Sequence, residues 1–377
     1  MRAPRVLLAC DYFVRYSVGL GRGLLDQGSP VTLLTRSHDL EFGGEPGAMR
    51  AYVRQGLTRD ASQLLLEGRV RHPDALIQLA RTRTSVRRFD PDIVHVQDSV
   101  VNDVRLVAAA GIRPRRFAIT IHDPMTHPGD RPRPPWKIAT WRALLRGAGL
   151  IFVHADQLRE ELIARERPKA PVVVVPHGVE EVSITALPAT PRLLFFGRIS
   201  KYKGLDTLLD AMPIIWQTDP VVELTVAGRG NLPIHPVLAD PRITVRAGYI
   251  PDADIPSLFE RSSCVVLPYR QASQSGVGAL ATRYGRALIA TSVGGLPELV
   301  GRETGMIVRP EDPTALAQAV RELFAEPGRA AAMGRTAAES ADAETSWRRV
   351  GALTLDAYAR HLAFGATVPG TAFRLAR

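Results

Sequence analysis

An arginine and a lysine set close together between glycines stand out in the C-terminal half of the chain. The apolar run Leu193-Leu194-Phe195-Phe196 leads directly into Gly197-Arg198-Ile199-Ser200-Lys201-Tyr202-Lys203-Gly204. Two further glycine turns follow, Ser273-Gln274-Ser275-Gly276-Val277-Gly278 and, after Leu288-Ile289-Ala290-Thr291, Gly294-Gly295-Leu296-Pro297-Glu298. Each turn falls where a strand hands over to a helix. Backbone amides at a helix N-terminus together with Arg198 and Lys203 supply what a diphosphate needs. This half is therefore expected to hold a nucleoside diphosphate.

The N-terminal half offers histidines. Ile119-Thr120-Ile121-His122-Asp123-Pro124 places His122 at a strand end, followed by Met125-Thr126-His127-Pro128. A lone histidine is more often structural than reactive. Here the strand-end position, with Asp123 and His127 beside it, favours a role in the site. His95 closes the apolar run 93–96 and is a candidate for an acceptor side or for a satisfied interior residue. His154 opens a helix pattern, and His177 sits in the turn Val175-Pro176-His177-Gly178. His122 and His127 lack a third ligand at zinc spacing, so no metal is expected.

Positioning these residues requires strands that end together. Val/Ile/Leu runs at residues 6–10, 31–35, 93–96, 117–121, 150–153 and 172–175 alternate with helical patterns, and continuous rather than alternating apolar runs suit parallel strands covered on both faces. The pattern pauses around residues 180–190 and restarts with runs at 193–196, 223–227, 243–246, 264–267, 288–291 and 306–308, then helices at 315–324, 329–340 and 346–362. This predicts α/β architecture with two doubly wound Rossmann-like domains facing a cleft. Boundaries are expected at residues 1–183, 184–345 and 346–377, the last a helix and tail returning to the first domain. Residues 43–88 are polar and Arg-rich and read as an insertion or loop-helix segment.

At 377 residues, 45% hydrophobic, the chain suits two soluble domains. No apolar run is long enough to span a membrane, and Met1-Arg2-Ala3-Pro4-Arg5 leads into a strand without a signal-peptide core. Cys10 and Cys264 read as separate buried thiols of a reducing compartment. Up to residue 188 there are 27 basic against 20 acidic residues, so most of the net +10 charge lies in the first half. Such a surface suits an anionic membrane or acceptor. Nucleic acid is not expected, because neither zinc-finger spacing nor an RNP-type aromatic motif is present.

Taken with Val226-Ala227-Gly228-Arg229-Gly230, these motifs resemble the retaining glycosyltransferases of GT-B fold, family 4, over essentially the whole chain. The resemblance implies sugar transfer from a nucleotide-diphosphate sugar, most simply UDP-linked, to a hydroxyl acceptor, with retention, no metal and no cofactor besides that co-substrate. By motif, Arg198 and Lys203 would bind the diphosphate and Gly228 would lie beside it. Ser275, Gly276 and Val277 would face the phosphates or sugar, Tyr249 and Ile250 the base. His122 would orient the reacting groups, with His95, Asp123 and His127 on the acceptor side.

The sequence departs from the family at two places. Two glutamates about eight residues apart are expected near the donor loop; Ala272 or Ser273 and Leu280 stand there instead. Glu298 is a candidate substitute, or a satisfier of helix amides. An active variant, a nucleotide-binding partner subunit without activity and a GT-B epimerase are the competing readings. A cytoplasmic protein, free or peripheral at the inner face of a membrane, fits all of them. Trp136, Trp141 and residues 131–135 would form an acceptor or membrane edge.

Overall fold

The computed structural model describes residues 2–57, 62–67, 74–112, 116–122, 134–180, 184–272, 275–301 and 303–362. Asp123, His127, Ser273 and residues 131–133 lie outside these.

Two all-parallel sheets form. The first contains β1 (Val6–Cys10), β2 (Val31–Arg36), β3 (Ser62–Leu66), β4 (Ile93–Gln97), β5 (Phe117–Thr120), β6 (Leu150–Val153) and β7 (Val172–Val174), ordered β3-β2-β1-β4-β5-β6-β7. The second contains β8 (Arg192–Phe196), β9 (Glu223–Gly228), β10 (Ile243–Ala247), β11 (Cys264–Leu267), β12 (Ala287–Thr291) and β13 (Gly305–Val308), ordered β10-β9-β8-β11-β12-β13. Central strands are buried on both faces, which is why their sequences are unbroken apolar runs. Register is tight: Leu194 of β8 lies between Thr225 of β9 and Val265 of β11. In both sheets the order reverses beside the first strand, at β1/β4 and at β8/β11. Loops leaving those strands diverge there and open a crevice.

Each sheet is covered on both sides. Helices Val14–Leu25, Ala48–Gly56 and Trp347–His361 close one core of the first sheet. Helices Ala75–Phe89, Val104–Ala110, Pro135–Gly147 and Asp156–Glu166 close the other. The last helix, far along the chain, thus completes the N-terminal layer. It crosses Val14–Leu25 so closely that a Cβ on Gly23 would lie 1.9 Å from the Trp347 carbonyl oxygen. Only paired glycines, Gly23 against Gly351, allow that approach.

Residues 43–88 are more regular than expected. They contain the helix Ala48–Gly56, edge strand β3 and the helix Ala75–Phe89. The edge strand is mostly part-exposed and lacks the continuous apolar run of a central strand. The helix Ala75–Phe89 buries only Ala75, Thr82 and Val86 and leaves Leu76 and Ile77 exposed, so its sequence carries no clear apolar face.

Candidate functional site

A cleft of about 1270 Å³ lies where the two sheets face each other, lined from one side by Tyr12, Arg15 and Glu41 and from the other by Arg198, Gly228, Tyr249 and Ile250 among others. Arg198 is exposed at its mouth, immediately beyond β8. Gly197 and Gly228 let the β8 and β9 turns touch: Gly228 has φ 149°, and a Cβ there would sit 1.7 Å from the Gly197 carbonyl oxygen. Any side chain would push β8 and β9 apart at the turns that line the cleft.

Lys203 stands beside this cleft. Its Nζ lies 3.7 Å from the centroid of the Tyr269 ring, and the Tyr269 hydroxyl is 3.2 Å from Ser275 Oγ. Ser275 caps the helix Gly276–Arg283, its Oγ accepting from Gly278 N at 3.1 Å. Val277 closes the circuit, 3.3 Å from where a Gly197 Cβ would be. Lys203 is thus joined through Tyr269 to the opening of the Gly276–Arg283 helix, and Val277 of that helix approaches the β8 turn that carries Arg198; of these, Arg198 lines the cleft. Leu280, one of the two positions lacking a carboxylate, lines the cleft with its apolar side chain.

The opposite wall contains residues that sequence reading missed. Phe13 has φ 66°, an uncommon conformation for an aromatic residue, and it turns the chain from β1 into the helix Val14–Leu25. The Glu41 carboxylate accepts from Val14 N at 2.8 Å and Arg15 N at 3.2 Å, so it occupies the positive end of that helix. Burial raises the Glu41 pKa, against the pull of those two amides and Arg15. Arg15 stacks over Phe42 and reaches across the cleft to Asp252 Oδ1 at 2.5 Å and the Tyr249 hydroxyl at 3.3 Å. No local motif signals this contact, because its partners lie 237 and 234 residues apart.

Glu298 also spans the domains. Its two oxygens accept from Asp156 N and Gln157 N, each at 3.0 Å, capping the helix Asp156–Glu166. In this arrangement both oxygens accept from helix amides, the alternative weighed for it from sequence.

The histidines converge at the junction of the domains. His122 stacks on Phe13 with ring centroids 3.8 Å apart, and Tyr16 meets the rings of His122, His154 and His177. His122 Nε2 is 2.7 Å from the Gln97 side-chain amide, its Nδ1 is 3.2 Å from His154 Nε2, and His154 Nδ1 is 2.9 Å from the Val175 carbonyl oxygen. A carbonyl only accepts, so His154 carries its hydrogen on Nδ1 and must accept at Nε2. His122 then donates from Nδ1. Burial, with smaller contributions from the neighbouring histidines, holds the His122 pKa well below its usual value. A neutral His122 has to accept at Nε2, so the Gln97 amide, placed with Oε1 at that contact, is assigned the flipped orientation with its nitrogen donating. Both ring nitrogens are thereby engaged, so in this arrangement His122 orients its surroundings.

His95 is deeper still. Its ring nitrogens contact the Tyr358 hydroxyl at 2.6 Å and Thr120 Oγ1 at 2.7 Å, and it is 1% exposed. That is the placement of the satisfied interior residue, one of its two sequence readings. His177 lies between the domains, its Nε2 3.9 Å from where a Gly276 Cβ would be. Among the described residues no three His, Cys, Asp or Glu side chains are grouped as metal ligands, and no helix is long and apolar enough to cross a membrane.

Two Rossmann-like sheets facing a cleft define the GT-B fold. Residues 14–182 match the profile described as Glycosyltransferase Family 4, and residues 190–326 that described as Glycosyl transferases group 1. The chain belongs to glycosyltransferase family 4 and is an enzyme of that class. It is 26% identical to the glycogen synthase of Mycobacterium tuberculosis over 72% of this chain and 69% of that protein. It is 24% identical to a D-inositol 3-phosphate glycosyltransferase of Pseudarthrobacter chlorophenolicus over 90% of this chain and 88% of that one. Among solved structures, a sucrose-phosphate synthase from Thermosynechococcus elongatus superposes with a TM-score of 0.73 at 19% identity, covering 95% of this chain and 98% of that one. The Anabaena protein HepE, in complex with UDP and glucose, superposes with a TM-score of 0.69 at 15% identity, covering 94% and 99%.

Proposed function

We propose that this enzyme transfers a sugar from a UDP-linked donor to a hydroxyl acceptor with retention of configuration and without a metal ion. The observation that carries the reading is Arg198 lining the cleft on a β8 turn that Val277 of the capped Gly276–Arg283 helix approaches, with Lys203 joined to the same helix opening through Tyr269 and Ser275. Two cations and helix amides can neutralise a leaving diphosphate, the task a divalent ion performs elsewhere. The base would lie against Gly248, Tyr249 and Ile250, which line the cleft beyond Gly228. HepE in complex with UDP and glucose supports the choice of base.

In the proposed step the bond from the anomeric carbon to the phosphate oxygen breaks, and a bond from that carbon to the acceptor oxygen forms on the same face. The acceptor proton passes to the departing phosphate oxygen. Arg198 and Lys203 stabilise the charge growing there, and His122 positions the surrounding groups from the junction. Leu280 offers no hydrogen bond to ribose, so those hydroxyls would be held by backbone or by cleft carboxylates. The acceptor domain would comprise residues 1–183, the donor domain residues 184–345, with a cytoplasmic location and peripheral attachment to an anionic membrane.

A thermal-shift screen of UDP, GDP, dTDP and ADP, followed by donor hydrolysis with wild type and Arg198→Ala, tests the reading. UDP is expected to stabilise the protein most, and Arg198→Ala to slow hydrolysis by about 10² to 10³. A folded protein stabilised by none of the four nucleotides sinks it.

A further inference from the structure

Eleven large apolar side chains are exposed among the described residues, and five of them gather along one edge of the first sheet. Leu76 and Ile77 (77% and 54% exposed) lie in the first turn of the helix Ala75–Phe89, Val104 in that of Val104–Ala110, and Trp136 (52%) and Ile138 in that of Pro135–Gly147. These helices follow β3, β4 and β5, so all three begin at the C-terminal edge of the sheet, the edge that faces the cleft. Hydrogen bonds tie the first turns into one row. Glu67 N donates to Gln78 Oε1 at 2.9 Å, Arg105 Nη1 donates to the Glu67 carbonyl at 3.1 Å, and Lys137 Nζ donates to Asn102 Oδ1 at 2.9 Å.

Charge on the same helices is of one sign. Together they carry eight basic residues, Arg81, Arg83, Arg87, Arg88, Arg105, Lys137, Arg142 and Arg146, and no Asp or Glu. Arg105 is buried against Asp103 and Arg142 is paired with Glu166. The four arginines of Ala75–Phe89 are exposed. Apolar first turns, with exposed Arg81 and Arg83 in the next turn of Ala75–Phe89 and exposed Asp74 and Glu67 as the acidic groups beside them, match a surface whose anions lie over hydrocarbon. Trp136, with Lys137 5.5 Å above its ring, has the amphipathic body suited to the headgroup boundary.

We infer that the first turns of the helices Ala75–Phe89, Val104–Ala110 and Pro135–Gly147 form a docking surface for an anionic lipid bilayer. The inference deepens the proposed peripheral attachment by naming its surface. It also places the bilayer beside the cleft mouth, where an acceptor held in the membrane would enter. A partly apolar surface distinguishes this from a purely electrostatic nucleic-acid face.

The test is co-sedimentation of the full chain with vesicles of 30% phosphatidylglycerol in phosphatidylcholine and of phosphatidylcholine alone, at low and high salt. Partitioning onto the anionic vesicles at low salt is expected, weakening as salt rises. Arg81→Glu combined with Arg83→Glu is expected to lower the partition coefficient at least tenfold, and Leu76→Ser with Trp136→Ser several-fold. Both double variants should keep the wild-type thermal shift with UDP, so failure here is separable from failure of the transferase reading. No partitioning at low salt overturns the proposal. So does binding to duplex DNA of equal strength, if Leu76→Ser with Trp136→Ser leaves vesicle binding unchanged.

Discussion

Arg15 and Asp252 join the two domains across the mouth of the cleft, with Arg15 Nη1 2.5 Å from Asp252 Oδ1 although the residues lie 237 positions apart. Arg15 is held from behind by the Phe42 and Tyr52 rings, and its second nitrogen reaches the Tyr249 hydroxyl. The pair is about one-third exposed on either side, which limits it to roughly 1 kcal/mol. Because it spans the site, that energy favours the arrangement in which Arg15 and Asp252 meet across the cleft. Asp252→Asn is expected to raise the donor KM about fivefold with a smaller change in kcat. Steady-state kinetics check this, and an unchanged KM would show that donor binding does not depend on the pair.

Arg198 is exposed and beyond the strand end, so removing its guanidinium should leave the fold intact. Arg198→Ala is expected to lower kcat by about 10² to 10³ with an unchanged melting temperature. Lys203→Met keeps an unbranched chain over Tyr269 and should lower kcat similarly. A loss confined to KM in both variants would place the two cations in ground-state binding alone.

Much of the fold was legible because both sheets are parallel and doubly covered. Runs such as Leu193–Phe196 and Leu288–Thr291 admit little else, and the observed strands β8 and β12 contain them. Edge strand β3 was not legible, since Ser62 and Gln63 interrupt its apolar character. Around the cleft, local motifs singled out the turn at Gly197–Gly204, part of which lines it, but not the opposing wall. Glu41 and Arg15 belong to segments with no recognisable pattern and acquire their positions only through long-range packing. His95 shows the same limit from the other side. Its strand-end position suited a cleft residue, while its partner Tyr358 lies 263 residues away.

Gly228 offers a sharper test of the cleft's construction. With φ 149° and the Gly197 carbonyl 1.7 Å from any Cβ, Gly228→Ala must both strain the backbone and separate β8 from β9. A cost of about 3 kcal/mol or more is expected, a melting temperature lower by about 6 to 12 °C. Gly28 has φ 76° with nothing within 4 Å, so Gly28→Ala pays for its backbone conformation only, about 1 kcal/mol. Equal melting temperatures for the two variants would contradict the close approach.

Glu298→Ala removes the carboxylate that accepts from Asp156 N and Gln157 N. Loss of a helix cap costs about 1 kcal/mol, or about 2 to 4 °C in a unit of this size. Because this cap comes from the other domain, protease cleavage between the domains should also accelerate. A lower melting temperature with unchanged cleavage would confine the effect to the helix.

Acid should destabilise the protein through the histidine junction. Burial lowers the pKa of His95 from 6.5 to about 3, and burial also lowers those of His122 and His177. Below pH 6.5 the unfolded chain takes up protons that the folded state refuses, so stability is fully present above that pH and declines as pH falls towards about 3. For His95 alone the loss at one unit below its unfolded value is about 1.4 kcal/mol, and His122 and His177 act in the same direction. Thermal melts at pH 7.5 and 5.5 should therefore show a lower midpoint at the acid value. His95→Gln should reduce that difference while lowering stability at pH 7.5, where Tyr358 and Thr120 lose a fitted partner. A midpoint that holds or rises on acidification would mean that the histidines are protonated in the folded state, and the neutral relay from Gln97 through His122 and His154 to Val175 would be wrong.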